Sequence, residues 1–489
     1  MLAQIKRLGT DTAIYGISTI LGRFLNFILV PLYTNVLSPD DYGIVAYVFS
    51  IVAFLNIVYS YGMESAYFKF ATTKEIGTPE QNFSTPFSSL VVSSVALSGL
   101  ILVCSAPIGH MMNIPPIHSS VIPLTAGILL LDTIVIVPFA LLRVEGKPWT
   151  FAMLKLVNVG VNVVCNLVLL LVLHTGIEGI FVSNLVASFV SLLTLAPVIR
   201  RRYTRHFSRP LFRELLAFGL PYIPAGLATM VIQVIDRPIL RALTDDATVG
   251  VYQANYRLGV FMMLIVSMYD YAWRPFFLLH AGSPDAKKLF ARIMTYFVGV
   301  AAFIFLLISF YIADLVQIRV FGRFLIHPAY WGGLPIVPVV LLGYLFLGVY
   351  NNLVAGVYIE KKTGKLPGIT LVGAATNIVA NLVLIPILGM MGAALATLGA
   401  YVAMALAMYL TVGRFYPVAY EWARISKISI ATALVFLVPR IVDLGGNALM
   451  GKFGLLVLFV ALLWIMRFFL PDELRALRQI LGRDRSPGS

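Results

Sequence analysis

The chain has 489 residues, of which 60% are hydrophobic and only 12% charged, and its mean hydropathy is +0.91. That balance excludes a soluble globular protein and leaves a polytopic membrane protein. The formal net charge of +14 does not call for a nucleic-acid partner, because its cations cluster in the segments between apolar runs, as membrane topology requires.

Apolar runs predict an all-α protein of fourteen transmembrane helices, near 13–37, 43–62, 87–108, 120–142, 151–173, 177–199, 215–238, 249–278, 291–313, 333–357, 366–388, 391–413, 426–443 and 449–469. The first run follows Lys6 and Arg7 and is too long for the apolar part of a secretory signal, so it is expected to remain as a span. It carries Arg23 about ten residues inside, roughly 15 Å deep at helical rise, together with Asn26. A guanidinium at that depth is costly unless it faces protein or a watery cavity, which makes Arg23 a candidate cavity cation ahead of a structural ion pair. Pro31 bends the run, and Ser38-Pro39-Asp40-Asp41 turns the chain into the second span.

The segments between spans sort by charge. Those on the side of the N-terminus hold 26 of the 36 Lys and Arg, among them Arg200, Arg201, Arg202, Arg205, Arg209 and Arg213; five lie on the other side and five inside spans. This bias places both termini in the cytoplasm. The basic stretch after Phe469 reads as an anchor on anionic lipid.

The sequence also repeats itself. At a constant offset of 215, Glu145–His174 aligns with Glu360–Gly389 with eleven of thirty positions identical, pairing Asn162 with Asn377 and Asn166 with Asn381. The opening hairpin returns some 207 residues later as Pro238–Tyr252. Six spans separate equivalent points, so the copies share one orientation and are related by an axis along the membrane normal. The expected organisation is an N-terminal lobe at 1–205, a C-terminal lobe at 206–415 and two extra helices at 416–470. A basic cytoplasmic tail follows at 471–489, and 200–213 serves as the linker between lobes.

Polar residues inside spans carry the candidate chemistry. Arg257 lies about seven residues into the eighth span, where a cavity cation and an ion pair are equally open readings. Arg237 closes the seventh span beside Asp236; it is kept as a candidate contact, although it and Lys155 lie near enough to the interface to snorkel. Asp270 and Arg274, four apart, can satisfy each other. Asp132 sits alone in the fourth span, either as a proton or sodium site coupling transport to an ion gradient or as the partner of a cavity arginine. Asn158, Asn162 and Asn166, echoed by Asn377 and Asn381, suit interhelical hydrogen bonds first and sugar or headgroup contact second.

Other motifs carry little. Cys104 and Cys165 read as small buried hydrophobes, and the histidines lack metal-ligand spacing. The Walker-like Gly446–Phe453 has Phe where Ser or Thr is needed, and Asn82-Phe83-Ser84 falls on the cytoplasmic side. No metal or cofactor is expected.

The stretches GRFLNFILVPLYTNVLSPDDYG, DRPILRALTDDATVGVYQANYRLG and EKKTGKLPGITLVGAATNIVANLVL resemble the polysaccharide-transporter, Wzx-like branch of the multidrug/oligosaccharidyl-lipid/polysaccharide exporter superfamily. The resemblance implies a flippase of the bacterial inner membrane. It would carry undecaprenyl-pyrophosphate-linked oligosaccharide across by alternating access for surface polysaccharides such as the O-antigen of lipopolysaccharide, in contact with membrane lipids and glycan polymerase machinery. Lipid II flippases of the superfamily are similar in having cavity arginines on the first and eighth helices, which Arg23 and Arg257 match by span and depth, and in holding the lipid tail on the last two helices. Three other readings compete: a lipid II flippase, a cation-coupled drug or metabolite antiporter, and a membrane glycan polymerase or ligase. The last needs a large periplasmic catalytic loop, and the longest loop on that side, about Asp314 to Gly332, is short.

Overall fold

The computed structural model describes residues 27–441, 448–471 and 473; Arg23 and Asn26 lie outside them. The N-terminal half contributes α1 (Phe27–Val36), α2 (Pro39–Ser60), α3 (Met63–Thr73), α4 (Pro79–Val103), α5 (Ser105–Met111), α6 (Val121–Ile134), α7 (Ile136–Val144), α8 (Pro148–Leu167) and α9 (Ile177–Arg202). The second half contributes α10 (Arg209–Gly219), α11 (Tyr222–Val234), α12 (Asp236–Leu243), α13 (Asp246–His280), α14 (Ala286–Gln317), α15 (Ile336–Leu353), α16 (Ala355–Ile359), α17 (Leu366–Leu388) and α18 (Met390–Val412). Two more helices, α19 (Trp422–Ile441) and α20 (Ala448–Ile465), pack against each other and on α14. Among the described residues, twelve helices, some built from two consecutive elements, are long and apolar enough to cross a membrane. With the shorter apolar Phe27–Val36 and Leu449–Ile465, they account for the fourteen predicted spans.

Local chemistry explains the helix starts. Ser38 caps α2 by accepting from the Asp41 N–H at 3.1 Å, Pro39 opens the first turn, and Asp40 and Asp41 complement its positive end. Thr78 and Gln81 form a capping box on α4. In the second half Asp245 plays the part of Ser38, accepting from the Thr248 N–H at 2.7 Å.

The two copies of this hairpin meet across the joint between lobes. A Cβ on Gly43 would overlap the carbonyl oxygen of Asp246, and one on Gly250 would overlap that of Pro39. Gly43 and Gly250 are separated by 207 residues, as are Pro39 and Asp246, so the contact is reciprocal, as a two-fold relation between the lobes requires. Only glycine lets backbones approach so closely. The longest loop on this face covers the joint. It forms a short hairpin, Arg319–Val320 with Arg323–Phe324, and a 3₁₀ turn at Pro328–Gly333. The Tyr330 hydroxyl donates to the Leu37 carbonyl at 3.0 Å, Asn255 Nδ2 to the Tyr330 carbonyl at 2.7 Å, and Asn35 Nδ2 to the Phe324 carbonyl at 2.8 Å.

Two expectations about boundaries change. The linker predicted at 200–213 is already helical from Arg209, where Ser208 caps α10. The seventh span is built from three pieces, α10, α11 and α12, and the first break falls at Leu220-Pro221, where proline supplies no N–H. The polar Arg209, Arg213 and Glu214 hide the start of α10 from a hydropathy reading, but Leu211 and Leu215 are fully buried against α3 beside Met63 and Phe70.

On the face carrying the basic segments, ion pairs tie helix ends together. Arg143 Nη1 lies 2.8 Å from Glu64, and Glu145 lies between Lys147 at 2.7 Å and Arg202 at 2.6 Å. Partial burial works to raise the Glu145 carboxyl, but the hydrogen bond from Lys147 and the charge of Arg202 outweigh it and hold it below the usual range. Arg424 on α19 is clamped to Glu421 at 2.8 Å and Glu473 at 2.9 Å.

The glycine crossing generates a prediction. Gly43→Val and Gly250→Val should each cost at least about 1–3 kcal/mol through overpacking, lowering the melting temperature of the purified protein. Gly99→Ala, at a glycine whose Cβ would meet nothing within 4 Å, should leave it unchanged; equal melting temperatures in all three variants would refute the close crossing.

Candidate functional site

Beneath the glycine crossing lies a cavity of about 210 Å³ shared by both lobes. The N-terminal lobe contributes Tyr33 from α1, Tyr42 and Phe49 from α2, Asn162 from α8 and Asn184 from α9, and the C-terminal lobe contributes Gln253 and Arg257 from α13. Arg257 sits three turns into α13, roughly 16 Å from its start at helical rise, and is half-buried. Among the described residues it has no hydrogen-bond or ion-pair partner in the structure. Its guanidinium therefore stands in a cavity of mixed polar and apolar lining between the two halves, with no donor committed to a described residue.

Arg237 solves the same problem differently. Rather than reaching the interface, it is buried at 5% exposure. Its Nη1 donates to Asp236 Oδ1 and to the Gln233 carbonyl, both at 2.6 Å, its Nε donates to Gln253 Oε1 at 3.1 Å, and its guanidinium carbon lies 4.2 Å from the centre of the Tyr256 ring. Asp236 in turn accepts from the Tyr252 hydroxyl at 2.5 Å. Arg237 is absent from the cavity lining and reaches it through Gln253.

The asparagine repeat is a repeat of geometry too. Asn166 Nδ2 donates to the Asn162 carbonyl at 2.8 Å and to Asn162 Oδ1 at 3.2 Å; Asn381 Nδ2 does the same to Asn377, at 2.8 Å and 3.0 Å. The two copies differ in surroundings. Asn162 opens on the cavity, and Tyr33 donates to Asn166 Oδ1 at 3.0 Å. Asn377 and Asn381 are fully buried away from this cavity, and Asn377 Nδ2 and Asn381 Oδ1 have no partner among the described residues.

Asp132 lies elsewhere, inside the N-terminal lobe. Ser188 Oγ donates to its Oδ1 at 2.5 Å, and one turn away Asn158 Nδ2 donates to Ser191 Oγ at 2.8 Å and to the Ala187 carbonyl at 2.9 Å. Lys155 rests its ammonium over the Phe139 ring at 4.2 Å. Asp270 and Arg274 pair at 2.9 Å, as their spacing predicts. Among the described residues no group of three His, Cys, Asp or Glu could hold a metal ion.

Of the sequence-predicted residues, the structure thus brings Arg257 and Asn162 together, connects Arg237 to them indirectly, and leaves Asp132 and Asn377 apart. Sequence reasoning missed Tyr33, Tyr42, Asn184 and Gln253. Gln253 had a signal, since it precedes Arg257 by four residues and shares its helix face; Tyr42 had none, because its place depends on the hairpin turn.

The chain matches the family described as polysaccharide biosynthesis protein over residues 8–278. No curated protein sequence matches it. Among solved structures it is similar to the lipid II flippase MurJ in an inward closed conformation, with a TM-score of 0.71 and 14% identity, covering 93% of this chain and 98% of that one. It is also similar to an inward-facing multidrug resistance MATE family transporter of the MOP superfamily, at TM-score 0.60 and 14% identity over 83% of this chain and 94% of that one. A third similarity, at TM-score 0.60 and 13% identity, is to a MOP superfamily transporter from Pyrococcus furiosus described as having a binding pocket of reverse polarity, over 86% of this chain and 96% of that one. At these identities the structural likeness speaks to fold, and the family match covers more than half of the sequence. The chain belongs to the polysaccharide biosynthesis protein family and has the fold of the multidrug/oligosaccharidyl-lipid/polysaccharide exporters.

Proposed function

We propose that the protein is a flippase, not an enzyme, and that it carries an undecaprenyl-pyrophosphate-linked oligosaccharide from the cytoplasmic to the periplasmic leaflet of the bacterial inner membrane. The observation that carries this reading is the Arg257 guanidinium in the cavity between lobes, without a protein anion among the described residues. A diphosphate must cross the hydrocarbon with its charge, and a planar guanidinium can meet two of its oxygens at once. The isoprenoid tail stays in lipid. Arg23, outside the described residues, is the second proposed cation, and α19 and α20 are the proposed support for the tail. The excess of Lys and Arg on one face puts that face and both termini in the cytoplasm, and delivery on the opposite face would hand the glycan to polymerase machinery.

Asp132 supports an ion-coupling role for the N-terminal lobe: a carboxylate with one neutral hydroxyl donor at 2.5 Å is suited to taking up a proton or sodium ion. A coupled drug or metabolite antiporter is a second reading on that ground, and a lipid II flippase differs only in the glycan carried.

Two predictions separate these readings. Arg257→Ala and Arg23→Ala should each lower glycan export at least about tenfold, the loss expected from charge-assisted hydrogen bonds of roughly 1.5–3 kcal/mol, with normal amounts of protein in the membrane. A cell-surface glycan assay with membrane immunoblotting checks this, and export at the wild-type rate by Arg257→Ala would remove the residue from its role. Asp132→Asn should leave binding intact and abolish the response of transport to an imposed proton or sodium gradient in proteoliposomes; an unchanged gradient response would exclude Asp132 as the coupling site.

A further inference from the structure

The amide side chains around the interlobe cavity do not choose freely which end they present to it. An arginine can only donate, so the hydrogen bond from Arg237 Nε at 3.1 Å turns the oxygen of Gln253 away from the cavity and leaves the Gln253 NH₂ group to it. Arg237 is itself fixed by Asp236 and by the Gln233 carbonyl, both at 2.6 Å. The opposite wall follows the same logic. Asn166 must point its NH₂ at the Asn162 backbone carbonyl, 2.8 Å away, and the same nitrogen engages the Asn162 side-chain oxygen at 3.2 Å. The Asn162 NH₂ group is what remains for the cavity. Tyr42, at 2% exposure, adds a buried hydroxyl that has no partner among the described residues. Asn184 is the exception: its NH₂ donates to the Ile180 carbonyl at 2.8 Å, which leaves an oxygen.

We propose that Asp236 with Arg237 on one lobe, and Asn166 on the other, are positioning residues that lock Gln253 and Asn162 as donors. Together with Arg257 these make a donor-rich subsite for the diphosphate of an isoprenoid lipid. The proposal rests on the flippase reading and adds to it where discrimination arises. Amides are ambivalent, and a Gln253 turned the other way would aim a partial negative charge at the diphosphate. With its orientation imposed, the polar part of the cavity favours a ligand rich in acceptors, while Asn184 Oδ1 and the Tyr33 oxygen, whose proton goes to Asn166, are left for a hydroxyl. The donors come from α2, α8 and α13, so the subsite is complete only while both lobes face each other.

The test is an isosteric change of sign. Gln253→Glu keeps an oxygen for Arg237 and places a second, anionic oxygen where the NH₂ stood; Asn162→Asp does the same against Asn166. Affinities of the purified full-length protein in nanodiscs are measured for geranylgeranyl pyrophosphate and for geranylgeraniol. Wild type should prefer the diphosphate by at least about tenfold, the worth of one charge-assisted hydrogen bond, and both variants should lose that preference. Arg237→Lys keeps the charge beside Asp236 but lacks the fork that also reaches Gln253. It should lower diphosphate affinity several-fold with alcohol affinity unchanged, whereas a purely structural role would lower both together. If Gln253→Glu retains the wild-type preference while Arg257→Ala loses it, the positioning proposal is overturned and the flippase reading stands. If wild type itself shows no preference, the flippase reading falls and the proposal with it.

Discussion

The contact on which the rest of the molecule depends is the crossing of α2 and α13, where Gly43 and Gly250 each receive the backbone of the other hairpin. It brings the second and eighth spans together without intervening side chains, and everything below it follows. The same two helices supply part of the cavity wall, Tyr42 from beside Gly43 on α2 and Gln253 and Arg257 from one and two turns past Gly250 on α13, and α1, α8 and α9 complete it. Aromatic packing extends the contact, with Tyr42 5.8 Å from Tyr33 and 6.1 Å from Tyr330 between ring centres. Removing the side chains at the crossing is what lets polar groups from two lobes converge on one small volume.

Three intramembrane arginines among the described residues are resolved in three ways, and their differences carry the functional argument. Arg274 is paired with Asp270 on its own helix and remains largely exposed. Arg237 is buried with a carboxylate, two carbonyl-type acceptors and an aromatic face. Burial of this kind costs desolvation and is repaid only when donors are satisfied, so Arg237 is spent on structure and on its neighbour. Arg257 has neither arrangement among the described residues. Its guanidinium lines the cavity between the two halves with no carboxylate of the described residues beside it, which is the observation the proposed role rests on.

Much of this was legible in the sequence because it rests on repetition and charge. The two hairpins, 207 residues apart, reappear as a reciprocal glycine contact, and the paired asparagines at an offset of 215 reappear as paired hydrogen bonds. Arg257 was found by depth alone. Other features were hidden for physical reasons. Asp236 next to Arg237 signals an ion pair, but its burial is made by Tyr252 and Tyr256 from another span, which no local pattern reveals. The first part of the seventh span carries enough charge to look like linker, because its full burial is confined to Leu211, Leu215 and Gly219. The cavity tyrosines owe their positions to tertiary packing, and a tyrosine in an apolar run looks the same wherever it points.

The broken seventh span has a mechanical meaning. Its first piece, α10, is seated on the N-terminal half, where Gly219 abuts Gly62 and Phe218 meets Phe70 at 6.3 Å, while its last piece, α12, is held from both halves, by Arg237 to Gln253 and Tyr256 of α13 and by Arg241 to the Met112 and Asn113 carbonyls. One continuous stretch of backbone thus runs from a seat on α3 to a clasp shared by both halves. Its weakest link is Leu220-Pro221, where a ladder rung is absent. Bending of this span is therefore easiest there, because the missing rung leaves that turn softer than the helical ladder on either side.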